Sequence, residues 1–250
     1  MRRRLAILGS LAVLATLFAW LRFGSEPTHK GARLGTILDG GASGGLAEAQ
    51  EAARVLGAGA VPYLMKVLER EPTVVQRGYA RYWPRLPAKI QKLAPAPQKI
   101  NQRRAWAAAA LTQAGAHAVR AVPLLMKIAS GDPFFGTRHN AVGSLAAIAP
   151  GSRYEGEAAS IVIGRISDEN QQLREHAYSS LGAFTNELRK VVPILLHGLR
   201  DPVFKESALL SLKRIGPNAM PVVRERVQNE GYLPMSFDAL ERELATRPPD

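Results

Sequence analysis

Apolar residues along this chain recur at helical spacing, in four copies that can be laid over one another. Arg104, Ala107, Leu111 and Ala114 form the first copy, and Arg138, Ala141, Leu145 and Ile148 the second. Arg174, Ala177, Leu181 and Phe184 form the third, and Lys205, Ala208, Leu212 and Ile215 the fourth. Positions three, seven and ten residues beyond a basic residue share one face of a 3.6-residue helix, so each copy predicts an amphipathic helix. The copies start 34, 36 and 31 residues apart, which leaves room for a second short helix and two turns in each unit.

The turn residues agree with that reading. Asp132, Asp168 and Asp201 stand ahead of three of these helices and read as caps. In the stretch from Asp201 to Val223, Gly216 ends one helix and Pro221 falls in the first turn of the next, where a missing N–H costs nothing. Pro62, Pro123 and Pro193 are read the same way, each opening an apolar run: PYLMKVL, PLLMKIA and PILLHGL. Alanine-rich first helices such as AWAAAAL let neighbouring backbones approach, and Leu, Ile and Val on the second helices fill the shared core. No pair buries its stripe alone, so the units must stack. The predicted fold is all-α: an α-solenoid of about six helix pairs over residues 46–250, behind an N-terminal hydrophobic helix. A capping helix is expected at 236–246, with Ser236 at its N-cap.

The units resemble HEAT repeats, specifically the short HEAT-like kind also found in phycobilisome lyases. The pattern D-P-x4-R-x2-A-x3-L-x2-I runs intact from Asp132 to Ile148. Glu169 replaces the proline in the copy from Asp168 to Phe184, and the Asp201 copy is two residues shorter between Asp and the basic position. The resemblance extends over roughly residues 45–230, with a weaker first helix from Leu46 and no proline helix between Ser152 and Ser167. It implies a helical scaffold; a lyase activity would rest on the repeat alone, and a repeat fixes fold rather than chemistry.

Arg2, Arg3 and Arg4 precede an uncharged run from Leu5 to Leu21, at the short limit for spanning a bilayer. Residues 1–23 are read as a signal anchor, with the N-terminus cytoplasmic and the solenoid extracytoplasmic. A cleaved signal peptide, giving a secreted or periplasmic protein, is the alternative. Residues 24–45, rich in glycine, are read as a flexible linker. Their glycines carry neither a P-loop Lys-Ser/Thr nor a strand leading into GxGxxG, which sets aside a nucleotide site.

Charge singles out one further segment. The net charge is +12, but residues 66–104 alone hold ten Lys/Arg against two acids. Residues 73–104 break the repeat pattern and are read as an atypical basic helix pair. Arg77, Arg81, Arg85, Lys89, Lys92, Lys99, Arg103 and Arg104 are the candidate ligands for an anionic partner, a lipid surface or a polymer. An extracytoplasmic location makes nucleic acid the least favoured of these. The plainer reading puts Tyr79, Tyr82 and Trp83 in the core and leaves the charges as a solvated face.

Catalytic and metal chemistry find little footing. The chain has no cysteine, and His29, His117, His139, His176 and His197 form no HExxH. Each is read as a surface or turn residue. Some HEAT-repeat enzymes bind di-iron through His-Glu dipeptides; only Glu175-His176, in reverse order, occurs here. No catalytic residue, metal ligand or cofactor is assigned. The expected function is a membrane-anchored or exported scaffold holding an unidentified protein in the concave groove of its second helices, with the anionic-surface binder second and a lyase-type enzyme third. If the array is continuous, Leu181→Asp puts an unpaired charge into a shared core and unfolds several units together. Circular dichroism should then show helix loss well beyond one helix pair; loss confined to one helix would contradict the array.

Overall fold

The computed structural model describes residues 26–40, 45–94, 96–97, 101–230 and 237–245. The apolar run at 5–21, Lys99 and Ser236 lie outside these residues. Among those described, no helix is long and apolar enough to cross a membrane.

A two-stranded hairpin, β1 (Thr28–His29) and β2 (Ala32–Arg33), leads into helix α1 (Leu34–Leu38). Then follow α2 (Gly45–Leu56), α3 (Val61–Glu69), α4 (Val74–Tyr82) and α5 (Ala88–Leu93). The central helices are α6 (Gln102–Leu111), α7 (Val122–Gly131), α8 (Phe135–Ile148) and α9 (Glu155–Gly164). The chain continues with α10 (Gln171–Leu181), α11 (Leu188–Gly198), α12 (Lys205–Ile215), α13 (Met220–Glu230) and α14 (Phe237–Ala245). The architecture is all-α apart from that short hairpin.

Two layers result. The first helices α2, α6, α8, α10 and α12 pack side by side in sequence order, and α14 lies against α12. The second helices α3, α7, α9, α11 and α13 form the other layer. Ala107, Leu111, Ala141, Leu145, Ala177, Leu181, Ala208 and Leu212, the repeated apolar positions, are all fully buried. Leu125, Val162, Val191 and Leu195 meet them from the second layer. Each fully buried Leu or Val contributes roughly 1.5–3 kcal/mol, so the units are stabilised chiefly by one another. Backbones come very close between α10 and α12: a Cβ on Gly182 would sit 2.6 Å from the Ser211 carbonyl oxygen. The Ser211 hydroxyl donates to the Tyr178 carbonyl at 2.6 Å and accepts from the Gly182 N–H at 3.0 Å. Ser144 makes the equivalent donation to the Ala108 carbonyl, also at 2.6 Å.

Four details differ from the sequence reading. Residues 26–40 are not a tether: Leu34, Ile37 and Leu38 are fully buried against α2 and α6. Three apolar side chains among glycines are enough to dock the segment. The turn before them uses Lys30 and Gly31, both left-handed, at φ 50° and 79°, the conformation a tight two-residue hairpin requires. Pro62, Pro123 and Pro221 do occupy the second helical position, but α11 begins at Leu188, so Pro193 lies inside it and removes one backbone bond. The basic segment also does not separate two units, since α2 packs directly on α6 and α3 on α7.

The fourth difference concerns the aspartates, which are more than caps. Asp132, Asp168 and Asp201 each accept from the N–H two residues on, at 3.0, 3.1 and 2.8 Å, forming the turn ahead of the helix. The remaining capacity of the first two reaches back to the preceding unit. Arg104 donates to Asp132 Oδ2 at 2.6 Å and to the Leu68 carbonyl at 3.1 Å. Arg138 donates to the Asp132 carbonyl at 2.7 Å and to Asp168 Oδ1 at 3.1 Å. Arg174 then donates to the Asp168 carbonyl at 2.8 Å. Both Arg104–Asp132 and Arg138–Asp168 are buried, so a ladder of charges runs along one edge of the array. On the opposite edge the buried Glu155 accepts from Gly151 N–H at 2.6 Å and from the Asn186 amides at 3.0 and 2.7 Å, joining two further turns.

Removing one partner of a buried ion pair costs about 3–5 kcal/mol, whereas losing a turn-capping oxygen costs about 1 kcal/mol. Asp132→Ala should therefore destabilise by several times as much as Asp201→Ala, whose carboxylate only closes its own turn. Urea unfolding of the two variants measures the difference, and equal losses would contradict the ladder.

Candidate interaction surfaces

The seven described candidate cations do not form one site. Arg104 is buried in the ladder. Arg103 donates to Asp39 at 3.1 Å and to the Tyr63 hydroxyl at 2.6 Å. Those groups wall a cavity of about 410 Å³ with Glu26, Arg33, Lys66 and Arg70. Burial, and then the hydrogen bond with Glu26, push the Tyr63 hydroxyl above its usual range, so it stays protonated there. These two arginines serve the fold, and the sequence offered a signal for Arg104: it heads a repeat.

The other five described cations, Arg77, Arg81, Arg85, Lys89 and Lys92, sit on the α4–α5 hairpin. Thr73 and Gln76 open α4 with reciprocal capping bonds at 3.2 and 2.9 Å. Pro84 and Pro87 break the chain, and Gln91 Nε2 ties the halves by donating to the carbonyls of Trp83 and Leu86 at 3.0 and 2.9 Å. No residue of α4, α5 or the turn between them is buried. Tyr79 and Trp83 meet with ring centroids 5.3 Å apart and planes tilted by 57°, and Tyr82 is exposed. The core reading of these aromatics fails at Tyr82, which is exposed, while Tyr79 and Trp83 are half-buried rather than in the core.

The orientation of α4 is unusual. Arg77, Ala80 and Arg81 line a cleft of about 820 Å³ whose far wall is the pair of turns at Ser130–Pro133 and Ser167–Glu169. The opposite side of the helix carries Val75, 81% exposed, and Tyr82, while Val74, 76% exposed, lies at the helix start on the arginine side. Apolar side chains of α4 are thus turned to solvent.

Another surface belongs to the second helices. Each buries one stripe on the first layer and leaves the other side uncovered, including Lys127, Ser160, Arg189, His197 and Arg224. Arg189 approaches Glu225 of the next second helix at 3.9 Å, and Lys127 binds Glu71 at 2.7 Å, so this face is polar and of mixed sign.

The histidines divide likewise. His117 and His197 are exposed, but His29 is buried in the hairpin. His139 on α8 and His176 on α10 are stacked, with ring centroids 4.0 Å apart and 15° between planes. Gly143 makes room for the pair, since a Cβ there would lie 3.0 Å from His176 Nε2. Spacing within one helix could not reveal this contact, which spans two units. Among the described residues, no three His, Asp or Glu side chains converge to hold a metal ion.

The stacked pairs of short helices define a helical repeat protein. Residues 122–213, from the start of α7 into α12, match the family model of HEAT repeats. No curated protein matches the chain.

Burial, and then the charge of His139, push His176 down to about 4, and burial lowers His139 as well. With folded values below the ordinary 6.5, both rings fold in the neutral form. The contribution of His176 to stability is complete above pH 6.5 and is lost as the pH falls toward 4, by up to ~1.4 kcal/mol per pH unit, and His139 acts in the same direction. The melting temperature should accordingly drop over that window, and His176→Gln should flatten the drop. An identical pH profile in the variant would contradict the stacked pair's role.

Proposed function

We propose that this protein is a scaffold that holds another protein across the uncovered face of its second helices. The observation that carries this reading is the continuity of that face. From α7 to α13, four successive second helices each expose polar side chains on the side away from the first layer while their other side is consumed by packing. A partner segment crossing them meets one set of contacts per unit, which is how a repeat array builds an extended binding groove. HEAT repeats at 122–213 support the assignment to protein rather than small-molecule recognition.

The apolar run at 5–21 and the three arginines before it support holding the array at a membrane with its body on the extracytoplasmic side. Release after signal cleavage is the alternative. Protease added to intact cells should cut the body and spare a membrane-bound fragment if the anchor is retained.

Photo-crosslinkers placed at Lys127, Ser160 and His197 on the second helices, and at Ala147 and Leu210 on the first, test the surface directly. One partner protein should be captured from all three second-helix positions and from neither first-helix position. Capture only from the first layer would overturn the assignment.

A further inference from the structure

We infer that the α4–α5 hairpin is a docking element for an anionic phospholipid surface. A helix of a folded protein normally turns its apolar stripe to the core; α4 does not. Val74, Val75 and Tyr82 face solvent, while Arg77 and Arg81 look into the cleft beside the repeats. On α5, Leu93 is 88% exposed and Ile90 is exposed beside it. Val74, Val75, Tyr82, Ile90 and Leu93 form an apolar and aromatic set that is exposed to solvent, with Tyr79 and Trp83 half-buried beside it.

The charges decide what covers it. From Pro72 to Gly131 the chain contains no Asp or Glu at all. None of Arg77, Arg81, Arg85, Lys89 and Lys92 has a salt-bridge partner among the described residues; Arg85 lies over the Tyr82 ring at 5.8 Å. Exposed Val, Leu and Ile beside Tyr, Trp and clustered cations are the composition of a helix that lies in a lipid interface, apolar side down and basic side chains at the headgroups. An apolar protein groove would accept the valines but has no need of the exposed cations Arg85, Lys89 and Lys92. A polyanion would accept the cations but leave Val74, Val75 and Leu93 in water. An anionic bilayer satisfies both sets at once.

The hairpin also has the mechanical independence that docking requires. It is capped at one end by Thr73 and Gln76, and it is closed on itself by Gln91. It can therefore hold its shape while its outer face is buried in lipid, and the array beside it stays clear of the membrane.

The test uses the full chain with Trp20→Phe and Trp106→Phe, leaving Trp83 as the reporter within the hairpin. Vesicles of brominated phosphatidylcholine containing about one third phosphatidylglycerol should quench Trp83 strongly. The same vesicles without phosphatidylglycerol should quench it weakly, even where the apolar run at 5–21 inserts. Val75→Glu with Leu93→Glu should abolish quenching. Arg85→Glu with Lys92→Glu should lower it roughly tenfold at limiting lipid, on the scale of the attraction of two basic side chains. Far-ultraviolet circular dichroism of both variants should match the parent, since none of these side chains is packed. Unquenched Trp83 with anionic vesicles would overturn the proposal. So would quenching that ignores lipid charge, or protection of Trp83 by an acidic protein or a nucleic acid but not by vesicles.

Discussion

Buried arginines that reach from one repeat to the aspartate of the next set the geometry of this protein. A guanidinium withdrawn from water is tolerable only when its donors are met by a carboxylate and by carbonyls. Arg104 and Arg138 find those partners only if successive units stack in one register. Apolar burial alone would not impose this, because alanine-rich helices can slide past each other with little change in area buried. The ladder on one edge and the Glu155 clamp on the other convert a general tendency to stack into a fixed spacing. The serines at 144 and 211, each bonded to a carbonyl of the neighbouring helix, hold the same register in the first layer.

A fixed spacing has functional meaning because it makes the second layer a ruler. Side chains at equivalent positions of α7, α9, α11 and α13 recur at the interval set by the first layer. A long partner segment can therefore be read by several units whose individual contacts are weak. The α4–α5 hairpin stands apart from this logic. It shares neither the ladder nor the buried stripe, and apolar side chains of α4 are turned to solvent. It is an addition to the array rather than a damaged repeat.

Much of the array could be seen in the sequence, since the repeated Ala and Leu positions at 34-, 36- and 31-residue intervals are packing positions and packing is periodic. What periodicity does not carry is the identity of partners across units. Asp132 looks like a cap because it precedes a helix, and its second role emerges only when the preceding unit brings Arg104 beside it. The His139–His176 stack escaped for the same reason. The docking of residues 26–40 was hidden by composition, since the surrounding glycines outweighed Leu34, Ile37 and Leu38. In the hairpin Tyr79, Tyr82 and Trp83 look like core residues by type, but the fold leaves Tyr82 exposed and the other two half-buried.

Native-state hydrogen exchange of the full chain, followed by mass spectrometry of peptides, tests most directly that a register-locked array carries an independent hairpin. Amides open at a rate set by the local unit they belong to. The account predicts slow, concerted exchange in α6, α8 and α10, which share the ladder and the buried stripe, and exchange many-fold faster in α4 and α5. Protection in α4–α5 equal to that of α8, or unrelated exchange rates in α6, α8 and α10, would contradict it.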